Sequence, residues 1–216
     1  MRILITGACG LVGTESVLHF SKNKKNKIYG IDNNARKYFF GADGDTTKNL
    51  NIVSKIPNYT HYNNSVIDKD FIFNLFKNER FDVVISAHGQ VSHDWAVKDV
   101  LLDFNTNCTS VLYLLEATKL YSPEAVFIQC STNKVYGSNP NLIKLKELDT
   151  RYEYDDVKYF NGIDESMSID NTTHSLFGCG KVASDVYAQE YAKYYGLNVA
   201  NVARTAVNLL KHGKTS

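Results

Sequence analysis

Three glycines at three-residue intervals follow the first apolar stretch of the chain. They lie in "ITGACGLVG" as Gly7, Gly10 and Gly13. Because glycine has no side chain, a strand-to-helix turn built from them allows a tight bend, close approach of the backbone to a pyrophosphate, and close packing of the following helix. The phosphates would lie on the N-terminus of that helix, at Leu11 and Val12, where free N–H groups and the helix dipole favour anions. The spacing therefore predicts a dinucleotide-phosphate site.

An acidic residue stands where such a site needs one. Asp32, with Asn33 beside it, follows the second apolar run "KIYGI" at the usual distance of about twenty residues from the glycines. There a carboxylate accepts hydrogen bonds from both hydroxyls of an adenosine ribose. It also repels a 2′-phosphate, so Asp32 favours NAD over NADP, whereas nearby Arg36 and Lys37 weaken that preference. The alternative interpretation is a glycine turn with a capping aspartate and no ligand.

Composition and charge limit the classes of protein that are compatible with these motifs. The 216 residues are 44% hydrophobic and 22% charged, which is typical of a globular chain and predicts one domain over residues 1–216. A net charge of +1 provides no long-range field for nucleic acid or an anionic membrane, and no stretch has the length of a membrane span. The chain begins at once with an apolar strand, so we expect no targeting segment and a cytoplasmic protein. The four cysteines are scattered, which predicts reduced thiols and no metal site.

Short apolar runs alternate with longer helical patterns along the chain. The runs are rich in β-branched residues and lack polar–apolar alternation, which is typical of strands buried on both faces. The predicted strands are 2–6, 27–31, 82–86, 125–131 and 198–202, and the predicted helices are 11–21, 69–78, 100–120 and 180–195. This order predicts an α/β fold with a doubly wound parallel sheet. Two long segments, 36–58 and 138–173, fit no simple element, and we expect them to be lids or binding segments.

The glycine spacing and the later motifs resemble the extended short-chain dehydrogenase/reductase family, whose fold is of the Rossmann type. "SAHGQVS", after the strand predicted at 82–86, is similar to the family's segment beside the nicotinamide, with Ala87, Gly89 and Gln90 in matching positions. Asn107, seven residues before "LLEA", matches the family's helix asparagine that braces the catalytic lysine. The resemblance implies that these four residues help to hold NAD.

The resemblance extends to the catalytic motifs, with one departure. "STNKVYG" is similar to the family's Ser-Ser/Thr-x-x-Val-Tyr-Gly, which implies that the Thr132 hydroxyl hydrogen-bonds the reacting sugar oxygen. "HSLFGCGK" occupies the place of Tyr-x-x-x-Lys, so Lys181 matches the lysine that holds the nicotinamide ribose. Phe177 stands where the family has its catalytic tyrosine, and it has no hydroxyl with which to exchange a proton.

The two residues after Thr132 narrow the reaction that the resemblance implies. Family members that dehydrate dTDP-sugars have an acid pair there, whereas this chain has Asn133 and Lys134, which disfavours dehydration. "STNKVYG", "ELDTRYE", "FNGIDESMSID" and "HSLFGCGK" are most similar to the branch of CDP-tyvelose (CDP-paratose) 2-epimerases. That likeness implies inversion at C2 of a nucleotide-activated sugar, a CDP-hexose, by transient oxidation with NAD. Asn133, Lys134 and His174 are then substrate-binding candidates, although Lys134 also fits a solvated loop.

The phenylalanine at position 177 leaves the identity of the proton acceptor open. His93 and Asp94 in "VSHDWA", and His174, are the candidates, with Thr132 or a water molecule as relay. Taken singly, both histidines also fit a capping or core role. Two other interpretations stay open: a descendant that binds NAD and a sugar nucleotide without turnover, as a sensor or assembly subunit, and an inactivated enzyme.

The end of the chain departs from the family. Relatives continue into a smaller substrate-binding domain, whereas this chain changes to "TAVNLLKHGKTS" and stops. We therefore expect the C-terminal substrate domain to be missing. In this family the helices that correspond to 100–120 and 180–195 commonly pair across a twofold axis, which implies a homodimer.

Overall fold

Six parallel strands form the central sheet of the computed structural model, which describes residues 1–202. Residues 203–216, which include the divergent tail "TAVNLLKHGKTS", lie outside the described residues. Numbered along the chain, the strands are Arg2–Thr6 (β1), Lys27–Ile31 (β2), Tyr59–Tyr62 (β3), Val83–Ser86 (β4), Val126–Gln129 (β5), Leu145–Leu148 (β6), Arg151–Tyr154 (β7) and Asn198–Asn201 (β8). The sheet order is β3-β2-β1-β4-β5-β8, and β6 with β7 forms a separate antiparallel hairpin.

Helices cover both faces of this sheet. They are Leu11–Ser21 (α1), Ala35–Phe40 (α2), Thr47–Val53 (α3), Lys69–Glu79 (α4), His93–Lys98 (α5), Val100–Phe104 (α6), Ser110–Tyr121 (α7) and Ser175–Tyr195 (α8). Successive strand residues point to opposite faces, so Leu4 packs with α4, α7 and α8, whereas Ile3 and Ile5 pack with α1 and α3. The strands are apolar on both sides because each side meets a layer of helices.

The order of the strands fixes where a ligand can bind. The chain proceeds from β1 outward to β3 on one side, and then returns to place β4 on the other side of β1. At such a switch point the connections after β1 and β4 diverge, which leaves a crevice at the carboxyl ends of the strands. The glycine turn, Asp32, Gln90 and Thr132 all follow strands that end at this edge.

Several predicted elements differ from the structure. α8 begins at Ser175 rather than at 180, so Phe177 and Lys181 share one helix. The helix predicted over 100–120 is divided by a π-helical turn at Asn105–Thr109. Segment 36–58 contains α3 and most of α2, and segment 138–173 contains the β6–β7 hairpin. β3 was not predicted because "YTHY" is polar and lies at the edge of the sheet.

Candidate functional site

The glycine turn joins β1 to α1, and two of its positions have room for glycine alone. Gly7 has φ +66°, and a Cβ added to it would lie 2.8 Å from the His88 Cα. A Cβ on Gly13 would lie 2.0 Å from the carbonyl oxygen of Gly7. The first turn of α1 has no side-chain cap and no acidic residue, so the N–H groups at Leu11 and Val12 are open to an anion. The turn therefore fits a dinucleotide pyrophosphate.

The Asp32 carboxylate is fixed against this turn by backbone groups. Its Oδ2 accepts a hydrogen bond from the Cys9 N–H at 3.0 Å, and its Oδ1 accepts one from the Asn34 N–H at 2.8 Å. Next to it, the Asn33 side chain accepts a hydrogen bond from the Ala35 N–H at 3.2 Å. Burial, and then the charge of Asp32, raise the pKa of the Cys9 thiol to about 12. Cys9 is therefore protonated, and Asp32 is the charged acceptor beside the turn.

The two basic residues that weakened the preference for NAD have partners within their own loop. The Lys37 ammonium pairs with the Asp45 carboxylate at 2.7 Å. The Arg36 guanidinium lies over the Phe40 ring, 4.7 Å from its centroid. These contacts are consistent with a site that recognises an unphosphorylated ribose.

The segment after β4 is braced by an asparagine. The Asn107 Oδ1 accepts a hydrogen bond from the Gln90 N–H at 3.1 Å, and its Nδ2 donates to the Gln90 carbonyl at 2.9 Å. A Cβ on Gly89 would lie 3.1 Å from the same Oδ1, and the Ala87 N–H bonds back to Thr6. The resemblance implied that Asn107 braces the lysine; in the structure its side chain forms hydrogen bonds with the Gln90 backbone and the Asp103 carboxylate.

His88 lies within this segment and was not singled out by the sequence. Its Nδ1 lies 2.7 Å from the Thr6 Oγ1, and its Nε2 lies 2.6 Å from the Ser110 Oγ. Because Ser110 donates its own proton to the Thr106 carbonyl, Nε2 must be the donor and Nδ1 the acceptor. Burial, reinforced by the positive charge of Lys181, lowers the His88 pKa to about 3. His88 is thus a neutral packing and hydrogen-bonding residue.

Asp103 on α6 is a second polar residue that the sequence motifs missed. Its carboxylate is almost fully buried, and its Oδ1 accepts hydrogen bonds from the Gln90 Nε2 at 2.9 Å and the Asn107 Nδ2 at 3.0 Å. Burial raises its pKa, while these hydrogen bonds and the charges of His93 and Lys181 lower it. The net shift is upward because burial is the largest of these effects, and Asp103 is a buried carboxyl within electrostatic reach of His93 and Lys181.

The Lys181 ammonium is buried beside the end of β5. It donates a hydrogen bond to the Cys130 carbonyl at 2.8 Å, and burial lowers its pKa while nearby negative charges, including that of Asp185, oppose the shift. The Ser131 hydroxyl donates to the Asp185 Oδ2 at 2.5 Å. These two hydrogen bonds join Cys130 and Ser131, the residues directly before Thr132, to α8.

Thr132 caps the short 3₁₀ turn Asn133–Tyr136. Its Oγ1 accepts a hydrogen bond from the Lys134 N–H and donates to the Asn133 Oδ1, each at 3.3 Å. Asn133 and Lys134 are exposed, whereas Thr132 is half-buried. The three predicted residues thus lie together at the carboxyl end of β5.

Phe177 lies one helical turn before Lys181, with its ring buried. The imidazole of His93 packs edge-on against it, with ring centroids 5.2 Å apart. His93 is exposed at the start of α5, where Ser92 caps the helix by accepting a hydrogen bond from the Trp95 N–H. Of the candidate proton acceptors, His93 is the one that the structure places in ring contact with Phe177.

His174 occupies a different position, at the N-cap of α8. Its Nδ1 lies 3.3 Å from the Lys134 carbonyl oxygen, and its Nε2 lies 2.9 Å from that of Ile169. Both ring nitrogens therefore face backbone acceptors. The side chain connects the turn after β5 to the segment before α8.

Two absences can be stated for residues 1–202. In this range no helix combines the length and apolar character needed to cross a membrane. Over the same residues, no group of three or more His, Cys, Asp and Glu side chains is arranged to hold a metal ion.

The sequence of this chain is similar to those of known epimerases and dehydratases. Residues 3–207 match the profile of the NAD dependent epimerase/dehydratase family. The chain is 34% identical over 198 residues to a CDP-paratose 2-epimerase of Salmonella typhi, which covers 92% of this chain and 55% of that protein. It is 29% identical over 199 residues to a dTDP-D-glucose 4,6-dehydratase of Dictyostelium discoideum, with 92% and 42% covered. The chain thus spans about half the length of these curated relatives.

Solved structures give the same picture of the fold. A tyrosine-to-phenylalanine variant of UDP-glucuronic acid 4-epimerase from Bacillus cereus, in complex with UDP-4-deoxy-4-fluoro-glucuronic acid and NAD, has a TM-score of 0.68 at 23% identity. It covers 93% of this chain and 55% of that one. The UDP-Glc/GlcNAc 4-epimerase of Campylobacter jejuni has a TM-score of 0.71 at 16% identity, with 93% and 52% covered. The predicted Rossmann-type α/β fold is confirmed.

Proposed function

Because this chain belongs to the NAD-dependent epimerase/dehydratase family, we propose that it binds NAD and epimerises a nucleotide-activated sugar, a CDP-hexose, at C2. The observation that carries the proposal is the convergence of the glycine turn, Asp32, Thr132 and Lys181 on one edge of the sheet. The 34% identity to a CDP-paratose 2-epimerase supports the choice of sugar and nucleotide. Since the chain spans about half of that relative, turnover by these residues alone is part of the proposal.

The cofactor would be held by groups that are already positioned. The N–H groups at Leu11 and Val12 would bind the pyrophosphate, Asp32 would bind the adenosine ribose, and Lys181 would bind the nicotinamide ribose. The braced backbone at Gln90 would line the nicotinamide. When bound, NAD supplies the removal of a hydride from a sugar carbon and its return.

The turn after β5 would orient the sugar. The Thr132 hydroxyl would hydrogen-bond the C2 oxygen, and the exposed Lys134 ammonium would pair with a substrate phosphate. Elimination of water needs an acid and a base beside Thr132, and Asn133 and Lys134 cannot supply them at neutral pH. These side chains favour epimerisation over dehydration.

His93 would exchange the proton of the C2 hydroxyl, directly or through Thr132 or a water molecule. It contacts the ring that replaces the usual tyrosine, and it lies within electrostatic reach of the buried Asp103 carboxyl. His174 is less suited, because both of its nitrogens face backbone carbonyls.

The reaction is tested by supplying CDP-paratose, or the corresponding tyvelose compound, to the NAD-loaded protein in deuterated water. We expect interconversion without deuterium at C2, because the hydrogen that leaves C2 also returns to it. Deuterium at C2 would contradict this reaction and indicate deprotonation. His93→Asn should lower the rate by about 100-fold or more with unchanged NAD affinity. His19→Asn, at an exposed position on α1, is the matched control, and an unaffected His93→Asn enzyme would exclude this base.

A second candidate function is a non-catalytic protein that binds NAD and a sugar nucleotide. The specific observation in its favour is the buried Phe177 ring one turn before Lys181. NAD binding without conversion of either sugar would support it. A large gain in rate for Phe177→Tyr would indicate an impaired enzyme instead.

A homodimer is the proposed assembly. α6 and α8 contact each other and carry exposed apolar side chains, among them Leu101, Phe104, Tyr187 and Tyr194. A twofold contact would remove such surface from water. Light scattering on the purified chain should give the mass of two copies.

A further inference from the structure

A closed loop follows Asp32 at the edge of the sheet where the glycine turn lies. We define residues 34–46 as the strap. Its ends are joined by Asn34, whose Oδ1 accepts hydrogen bonds from the N–H and the hydroxyl of Thr46 at 2.9 and 3.0 Å, and whose Nδ2 donates to the Asp45 Oδ1 at 2.9 Å. Asn34 has φ +57°, which turns the chain directly after Asp32. The strap is therefore a defined structure with a fixed base.

The tip of the strap is anchored on α5 by Trp95. The indole N–H donates a hydrogen bond to the Phe39 carbonyl at 2.9 Å. The Tyr38 and Phe39 rings pack around the indole, with centroids 4.8 and 5.7 Å from it, and the Lys98 ammonium lies 5.0 Å from the indole centroid. A polar contact, two aromatic contacts and a cation–π contact thus hold the tip at one side chain.

The two attachments follow strands that lie on opposite sides of β1. The base is tied to Asp32 after β2 and, through Asn49 just beyond the strap, to the Cys9 carbonyl at 2.9 Å. The tip is held by α5, which follows β4. Since β1 lies between β2 and β4, the strap passes across the carboxyl end of β1, where the glycine turn begins.

From this path we propose that the strap is the outer wall of the dinucleotide site and that Trp95 is its latch, so that NAD enters and leaves only when the strap detaches from Trp95. This rests on the proposed binding of NAD. An epimerase that oxidises and reduces the same sugar needs one dinucleotide to stay in place throughout, and a latched strap supplies that retention. Trp95 is thus a positioning residue for the cofactor and takes no part in proton exchange.

The test measures release of the dinucleotide rather than activity. The purified protein is loaded with NADH and mixed with excess NAD, and the loss of fluorescence from bound NADH gives the dissociation rate constant. Trp95 is the single tryptophan, so its energy transfer to NADH provides a second signal in the wild type. Trp95→Phe, which loses the indole N–H and part of the ring that Tyr38 and Phe39 contact, should release NADH about tenfold faster, and Trp95→Ala should release it faster still. Association should not slow, because a loosened strap also opens the entrance.

Two further variants keep the result interpretable. Tyr38→Ala removes an exposed ring from the latch, retains Trp95, and should also speed release, which tests the proposal if Trp95→Ala does not fold. Phe73→Ala is the matched control, since Phe73 packs on Tyr121 and under Lys69 on α4, away from the strap. Wild-type release rates in the folded Trp95 and Tyr38 variants would overturn the proposal. Failure of the wild type to bind NADH would instead contradict the proposed function.

Discussion

Alanine at Gly13 should mainly lower the stability of the fold, whereas alanine at Gly10 should mainly lower the affinity for NAD. At Gly13 the new Cβ would lie 2.0 Å from the Gly7 carbonyl oxygen, 1.4 Å inside an ordinary 3.4 Å contact, and a backbone atom cannot move aside by changing rotamer. Overpacking of this kind costs about 1–3 kcal/mol, and alanine regains about 1 kcal/mol of helix propensity. Since the clash is with backbone, we expect Gly13→Ala to lower the free energy of unfolding by about 2 kcal/mol.

Gly10→Ala should give the opposite pattern. Its backbone is extended at φ −72°, and the Cβ would lie 3.3 Å from the Gly7 oxygen, so the free energy of unfolding should change by less than about 0.5 kcal/mol. The methyl group would, however, occupy the space through which the backbone approaches a pyrophosphate. We expect the NAD affinity to fall at least about tenfold, which is 1.4 kcal/mol.

For both variants, urea unfolding followed by circular dichroism measures the free energy of unfolding, and calorimetric titration measures the affinity for NAD. A Gly10→Ala protein that binds NAD as tightly as the wild type would refute the placement of the pyrophosphate on this turn. A Gly13→Ala protein as stable as the wild type would refute the steric reasoning.

Two further predictions concern charge. The folded-state pKa of about 3 for His88 lies below its ordinary value of 6.5, so the stability contributed by the neutral imidazole is complete above pH 6.5 and is lost as the pH falls towards 3. Urea unfolding between pH 7 and pH 4 should show a decline approaching about 1.4 kcal/mol per pH unit, and His88→Gln should reduce that slope; equal slopes would show that His88 titrates normally. Asp32→Asn should weaken NAD binding and reduce the ratio of NAD affinity to NADP affinity about tenfold. Titration with both dinucleotides measures that ratio, and the wild-type value in the variant would contradict the role of Asp32.

The local parts of the fold were predictable from the sequence. β1, β2 and α1 have the predicted bounds, because an apolar run, a glycine turn and an acidic residue specify a strand, a helix start and a ribose site within one short segment. The start of α8 was placed too late because Gly178 and Gly180 weaken the helical pattern. In the fold, a Cβ on Gly180 would lie 3.3 Å from the Asn107 Cβ, so this glycine serves a helix contact that only the tertiary structure reveals.

The polar network of the site was less predictable. His88 and Asp103 match no spacing motif, and each acquires its partners from segments distant in the chain, such as Ser110 for His88 and Gln90 for Asp103. The strap also depends on a contact with a residue that is distant in the chain. Its aromatic residues suggested only a long loop, because their partner Trp95 lies more than fifty residues further on, 56 from Phe39.

The π-helical turn between α6 and α7 has a consequence for how this site can vary. A helix advances about 100° per residue, so removing one residue from Asn105–Thr109 would rotate Asn107 and Asp103 out of phase with the buried side of α7. The direction in which the Asn107 and Asp103 side chains point therefore depends on the number of residues in this turn. Substitutions would not reveal that dependence, because they leave the backbone length unchanged. A one-residue deletion would break the hydrogen bonds of Gln90 with Asn107 and Asp103 while leaving the apolar core residues in place.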